Sequence, residues 1–159
     1  MNKAPTLSHD AAVSLLETAD IGGTNASTGW VSMADYQKIF AYVEIGTWNA
    51  SDDLDECRLE QATDGSGTGA KDLTTDASGG NYDTDNPVDA DGDFVILEAQ
   101  AEDMDVAGGF THVRLYVAEG GNTGVDNVTG FLLRYGSQTK RAQKNGAAVT
   151  GSKVYVRPS

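Results

Sequence analysis

Proton transfer near neutral pH is most often carried by histidine, and this chain has two, His9 and His112. Neither lies in a recognised catalytic motif. His112 falls within Phe110-Thr111-His112-Val113-Arg114. Two-residue alternation groups it with Arg114 and Tyr116 and sets Val113 and Leu115 on the opposite side, so a polar strand face is expected there, not a base. Carboxylates offer a second chemistry. Asp89, Asp91 and Asp93 recur at every second residue, as the ligands of a calcium loop do. Counted from Asp89, however, the sixth position is Phe94 instead of glycine and the twelfth is Gln100 instead of glutamate, which excludes an EF-hand. A looser hard-cation site from these three aspartates stands against a solvated acidic loop, and the loop is the expectation. Glu102-Asp103-Met104-Asp105 supplies paired acids of the kind a glycosidase uses, but nothing selects a pair. Gly65-Ser66-Gly67-Thr68-Gly69 has the composition of a phosphate cradle without the lysine-bearing helix that should follow it, and reads as a turn. The nucleophile elbow, the zinc-binding helix and the Walker loop have no counterpart in the sequence. Cys57 is the single cysteine, which rules out an internal disulfide and multi-cysteine metal sites. No catalytic residue and no cofactor is expected, and the chain reads as a non-enzyme.

The elements that would position these groups read as strands. YQKIFAYVEI, from Tyr36 to Ile45, places Ile39, Ala41, Val43 and Ile45 opposite Lys38, Phe40, Tyr42 and Glu44, which is half-buried strand patterning. Further strands are expected at residues 54–62, with Cys57 and Leu59 facing inward together, and at 94–101, 110–118, 130–136 and 153–157, each bounded by glycine or aspartate turns. Residues 8–17 begin with a capping residue but alternate like a strand, and strand is the expectation. Residues 32–36 have room for one helical turn at most. Residues 74–93 hold six aspartates and almost nothing to bury, so a long exposed loop is expected. Short strands separated by turn signals predict one all-β domain over residues 1–159, an antiparallel, jelly-roll-like β-sandwich with long glycine- and aspartate-rich loops.

Length and charge narrow the class further. At 159 residues, 39% apolar and 22% charged, with 19 glycines, the chain has the size of one domain. No window approaches eighteen uninterrupted apolar residues, and no apolar stretch follows Lys3, so neither a membrane span nor a secretory signal is expected and the protein is expected to be made in a cytoplasm. The net charge is −13, which repels nucleic acid and anionic membranes. All 24 acidic residues lie at or before Asp126, against five basic ones, leaving −19 there. The remaining residues carry +6, from Arg134, Lys140, Arg141, Lys144, Lys153 and Arg157. Such polarity arises when basic strands pair beside acidic ones in one sheet, or when the basic end of one copy meets an acidic surface elsewhere.

The layout is an extended N-terminal segment (Ala12-Val13-Ser14-Leu15-Leu16), the Tyr36-to-Gly46 strand and the Leu59-to-Asp64 strand and turn. Glu102-Asp103-Met104-Asp105-Val106 then leads into Gly109-to-Arg114, and a short strand closes the sequence. In this it resembles the small β-sandwich virion proteins of tailed bacteriophages, most of all the capsid decoration or cement proteins. The resemblance implies a structural protein of the capsid surface that binds major capsid protein subunits. Self-association as a homotrimer or another small symmetric cluster is expected with it, and neither nucleic acid nor membrane as a partner. Extended arms are expected at residues 1–6 and 154–159. The residues expected to touch capsid or neighbouring subunits are Lys140, Arg141, Lys144, Lys153, Val154, Tyr155 and Arg157. Minor capsid and neck or tail-completion proteins share the layout. A carbohydrate- or host-surface-binding module, with Trp30, Trp48 and tyrosines as its platform, is the alternative of a different class.

Overall fold

The computed structural model describes residues 11–49, 54–74, 88, 90–119 and 124–137. Nine strands form there: β1 (Ala11–Asp20), β2 (Asn25–Ser27), β3 (Val31–Ser32), β4 (Tyr36–Ile45), β5 (Glu56–Ala62), β6 (Lys71–Asp72), β7 (Phe94–Gln100), β8 (His112–Ala118) and β9 (Asn127–Ser137). A single 3-10 turn, Ala101–Asp103, follows β7. Among the described residues no helix is long and apolar enough to cross a membrane.

The strands pair antiparallel in two sheets, ordered β1-β9-β4-β7 and β2-β8-β5-β6, with β3 also on β8. β2 and β3 are two halves of one interrupted strand. Between them Thr28 keeps the ladder closed, since its N–H donates to the Leu115 carbonyl at 3.0 Å and its hydroxyl accepts the Leu115 N–H at 3.0 Å. Counted so, the strands nest as pairs: β1 with β9, β2/β3 with β8, β4 with β7, and β5 with β6. This is a long hairpin rolled so that β9 lies between β1 and β4, and β8 between β2/β3 and β5. That connectivity is the jelly roll, and the all-β sandwich read from the sequence is the fold observed.

Alternation explains the core. Ile39, Ala41, Val43 and Ile45 of β4 and Val95, Leu97 and Ala99 of β7 point inward, with Leu132 of β9 beside them. They meet Cys57 and Leu59 of β5 and Val113, Leu115 and Val117 of β8, and all of these are buried. Ile21, Met33, Trp48, Leu54 and Met104 close the ends of the sandwich from the connecting loops. Gly130 lies in β9 opposite Val43 of β4 and Leu16 of β1. A Cβ there would overlap the Tyr42 carbonyl oxygen, so only glycine permits this close approach of two backbones.

Most expected strands shift by a few residues at their edges: β1 runs on to Asp20, β5 begins at Glu56 and β7 ends at Gln100. β9 begins at Asn127 rather than at Gly130, because Asn127 and Val128 still pair with Asp20 and Ala19. β8 begins at His112 because the Phe110 N–H is spent on the Asp105 carbonyl in the preceding turn. Residues 32–36 hold the end of β3 and a tight turn closed by the Tyr36 N–H on the Met33 carbonyl. The strands expected at 153–157 and the arms at 1–6 and 154–159 lie outside the described residues, as does most of the acidic loop.

Candidate docking face

The outward face of a two-layer sandwich is ordinarily polar, and the first sheet departs from this. Register places its outward residues in rows across the four strands. One row runs Val13, Leu133, Phe40, Glu98 and the next Leu15, Phe131, Tyr42, Ile96. Phe94 lies beside the second row, opposite Glu44. Leu15 and Phe94 are each 56% exposed, Ile96 48% and Val13 39%. The aromatic rings hold one another in place. Tyr42 stacks on Phe94 at 5.7 Å and on Phe131 at 5.8 Å, and Phe131 lies 6.1 Å from Phe40. Offset aromatic pairs of this kind are rigid and offer large apolar area at little entropic cost. The strip is bounded along β4 by opposite charges, Lys38 at one end and Glu44 at the other. Lys38 Nζ sits 6.0 Å from the centre of the Tyr135 ring. The Tyr42 hydroxyl donates to Glu44 at 3.3 Å, and desolvation with the adjacent Glu44 charge pushes the Tyr42 phenol above its ordinary range.

The outer face of the second sheet is built oppositely. Glu60 of β5 is buried and shared by two arginines, accepting from Arg114 Nε at 2.6 Å and from Arg58 at 3.0 Å. Arg58 also reaches Glu56 at 2.5 Å and Asp72 at 2.9 Å. Burial works to lower the Arg58 pKa, but Glu56, Asp72 and Glu60 together outweigh it and hold the guanidinium above its ordinary range. Arg114 lies over the Trp30 ring at 4.6 Å and near Tyr116 at 5.3 Å, and Arg58 covers Tyr116 at 4.6 Å. The charges here neutralise one another within the sheet, leaving a stiff polar surface.

The groups that suggested chemistry serve as loop fasteners. The Asp91 carboxylate accepts the Trp48 N–H at 2.8 Å and Asp93 accepts the Ala90 N–H at 3.1 Å, while Asp89 lies outside the described residues. Among the described residues no three histidine, cysteine or acidic side chains gather as metal ligands. Asp103 caps the 3-10 turn through the Gln100 N–H. Asp105 takes Lys71 at 2.6 Å and the Gly108 N–H at 2.8 Å, and these contacts hold its carboxyl below the usual range. Asp64 accepts the N–H groups of Ser66 and Thr68 in the 65–69 turn, with Gly67 in the left-handed region and packed on Trp30. His112 shares the outward face of β8 with Arg114 and Tyr116, and its Nδ1 lies 2.9 Å from the Thr111 hydroxyl. Trp48 is buried, which removes it from any surface platform, and Cys57 is buried in the core.

The inward placement of Arg134, half-buried, and of Asp126 was not foreseen. Arg134 points inward over the Tyr36 ring at 4.8 Å and donates to the Ser32 carbonyl. Desolvation lowers its pKa, and its Nε has no hydrogen-bond partner among the described residues. Asp126 is fully buried, accepts the Asn49 N–H on Oδ1 at 2.8 Å, and leaves Oδ2 without a partner among the described residues. Of the expected contact residues, Lys140, Arg141, Lys144, Lys153, Val154, Tyr155 and Arg157 all lie outside the described residues. No protein-family model, curated protein or solved structure matches the chain.

Proposed function

We propose that this chain is a structural virion protein of a tailed bacteriophage, a decoration protein that binds major capsid protein subunits and stabilises the shell. The observation that carries the reading is the outward face of the first sheet, where eight apolar residues from four strands form one rigid, solvent-facing strip. Contiguous apolar patches of this extent mark surfaces that meet other proteins. Their free energy is gained only on assembly, and a protein bound to a shell stabilises it by mass action. Attachment to the shell is assigned to the basic residues Lys140, Arg141, Lys144, Lys153 and Arg157. The excess of acidic residues through Asp126 would keep decorated particles apart by like-charge repulsion.

The test is co-sedimentation of the purified chain with shells assembled from major capsid protein, at rising salt, together with densitometry of whole virions. Saturable binding that weakens steeply with salt is expected, with copies in the hundreds per particle. A neck ring would hold roughly a dozen by symmetry. Absence from virions, or turnover of a small molecule by the purified chain, would overturn the reading.

A further inference from the structure

We infer that the outward face of the first sheet is the contact surface of a twofold pair of this chain, with β4 of one copy lying antiparallel over β4 of the other. The inference rests on reading that face as a contact surface, and adds to it what the face meets. Area is the first argument. Four strands about 4.8 Å apart, over the seven residues from Lys38 to Glu44 at about 3.3 Å each, give a footprint of roughly 450 Å², which suits a small, reversible pair. A standard interface buries roughly 800 Å² per partner. Two sheets pack face to face, nearly aligned and about 10 Å apart, when their facing side chains are apolar. The two apolar rows described above supply such a layer from each copy.

Charge selects the occupant and its direction. Along β4 the outward residues read Lys38, Phe40, Tyr42, Glu44, a cation and an anion flanking two aromatic rings. A face with one sign at each end is complementary to itself turned end for end. A twofold axis lying across the strands, between the Phe40 and Tyr42 rows, sets Lys38 of each copy over the Tyr42–Glu44 pair of the other. It also lays Phe40 on Tyr42, Leu133 on Phe131 and Val13 on Leu15. An axis running along the strands would instead place Lys38 beside Lys38 and Glu44 beside Glu44, which like-charge repulsion disfavours. Glu98 and Gln100 lie on the edge strand β7 and stay hydrated at the rim. Among the described residues the second sheet offers no comparable face, because its arginines and carboxylates already satisfy one another.

Sedimentation equilibrium of the full chain tests the inference without any shell present, so its failure leaves attachment to shells intact, and loss of shell binding leaves the pair intact. A reversible dimer is expected. Leu15→Asp and Ile96→Asp, at positions already exposed, should fold, with thermal melts unchanged at dilutions where the unaltered chain is monomeric, and weaken association by about thirtyfold or more. Lys38→Glu or Glu44→Lys alone should weaken it by about tenfold, and the double exchange should restore it to within about threefold. A monomer at every concentration, a trimer, or association that survives both aspartate variants overturns the inference. A double exchange that fails to restore association overturns it as well. If the chain is monomeric and truncation after Ser137 then yields pairs, residues 138–159 of the same chain occupy the face, and the inference is again overturned.

Discussion

Glu60→Gln is the most informative single change on the ionic face, because one carboxylate there serves two guanidinium groups. Its side chain is 8% exposed, with Arg58 at 15% and Arg114 at 25%. The replacement is nearly isosteric, but a glutamine has one carbonyl oxygen and one amide nitrogen. One arginine therefore keeps an acceptor while the other meets N–H groups. Arg58 retains Glu56 and Asp72, so Arg114 carries the loss. It cannot swing into water without giving up its contacts with Trp30 and Tyr116. Breaking a buried pair costs about 3–5 kcal/mol and losing a hydrogen bond to a charged group about 1.5–3. Partial exposure of Arg114 brings the expectation to about 2 kcal/mol. At roughly 3 °C per kcal/mol for a domain of this size, that is a melting shift of about 6 °C. Urea denaturation followed by tryptophan fluorescence should show a lower midpoint with an unchanged slope. Glu56→Gln, at a position 39% exposed, should cost less than about 0.5 kcal/mol. A double-mutant cycle of Glu60→Gln with Arg114→Met should show coupling above about 1 kcal/mol. If Glu60→Gln costs no more than Glu56→Gln, the clamp reasoning is wrong.

Gly130→Ala should destabilise by about 3 kcal/mol or more, since the methyl must displace the Tyr42 carbonyl or the β9 backbone and both are paired in the sheet; a urea midpoint equal to that of the unaltered chain would contradict the close approach. Asp20, Asp64 and Asp105 have carboxyls held below the ordinary value, by backbone N–H groups in Asp20, by Thr68 and then Ser66 in Asp64, and by Lys71 first in Asp105. Their contribution is therefore present above the unfolded carboxylate value and lost as the pH falls through the lower folded values, so Asp105→Asn should lower the melting temperature near neutrality and converge with the unaltered chain on acidification, giving a flatter fall. Asp126→Asn should leave stability unchanged or raise it, because it removes a charge whose Oδ2 lacks a partner while keeping the acceptor for Asn49. Asp126→Ala should cost about 1–3 kcal/mol by orphaning the Asn49 N–H, and equal losses in the two variants would show that the charge itself is needed.

Much of this fold was legible because its information is local. The alternation of β4 names its inward residues one by one, and the pairing of Cys57 with Leu59 follows from a period of two. Residues 8–17 alternate well enough that strand outweighs the capping residue that opens them, and β1 forms from Ala11 on. The boundaries of β8 and β9 were less legible. Glycine and aspartate mark where a strand can stop, and the ladder decides where it does, through Asn127 and Val128 pairing with β1.

The apolar outward face of the first sheet is the instructive omission. Its signal was present in each strand separately: Phe40 and Tyr42 stand on the supposedly polar side of β4, β7 opens with the uninterrupted apolar run Phe94-Val95-Ile96-Leu97, and β9 contains Phe131-Leu132-Leu133. A continuous apolar run means that both sides of a strand are covered, but it cannot say by what. Only the rolled-hairpin order brings Val13 and Leu15 beside Leu133 and Phe131, more than a hundred residues away, and sets Phe40 and Tyr42 between these and Ile96. Attention to charge pointed instead to the basic residues after Asp126, and of these the one described, Arg134, turns inward against Tyr36. Charge asymmetry along a chain reports where residues fall in sequence, whereas a contact surface is a property of strand order. Apolar residues of both parities in neighbouring strands of a two-layer fold are therefore the stronger indication of assembly, because one parity suffices for the core and the other must be covered from outside.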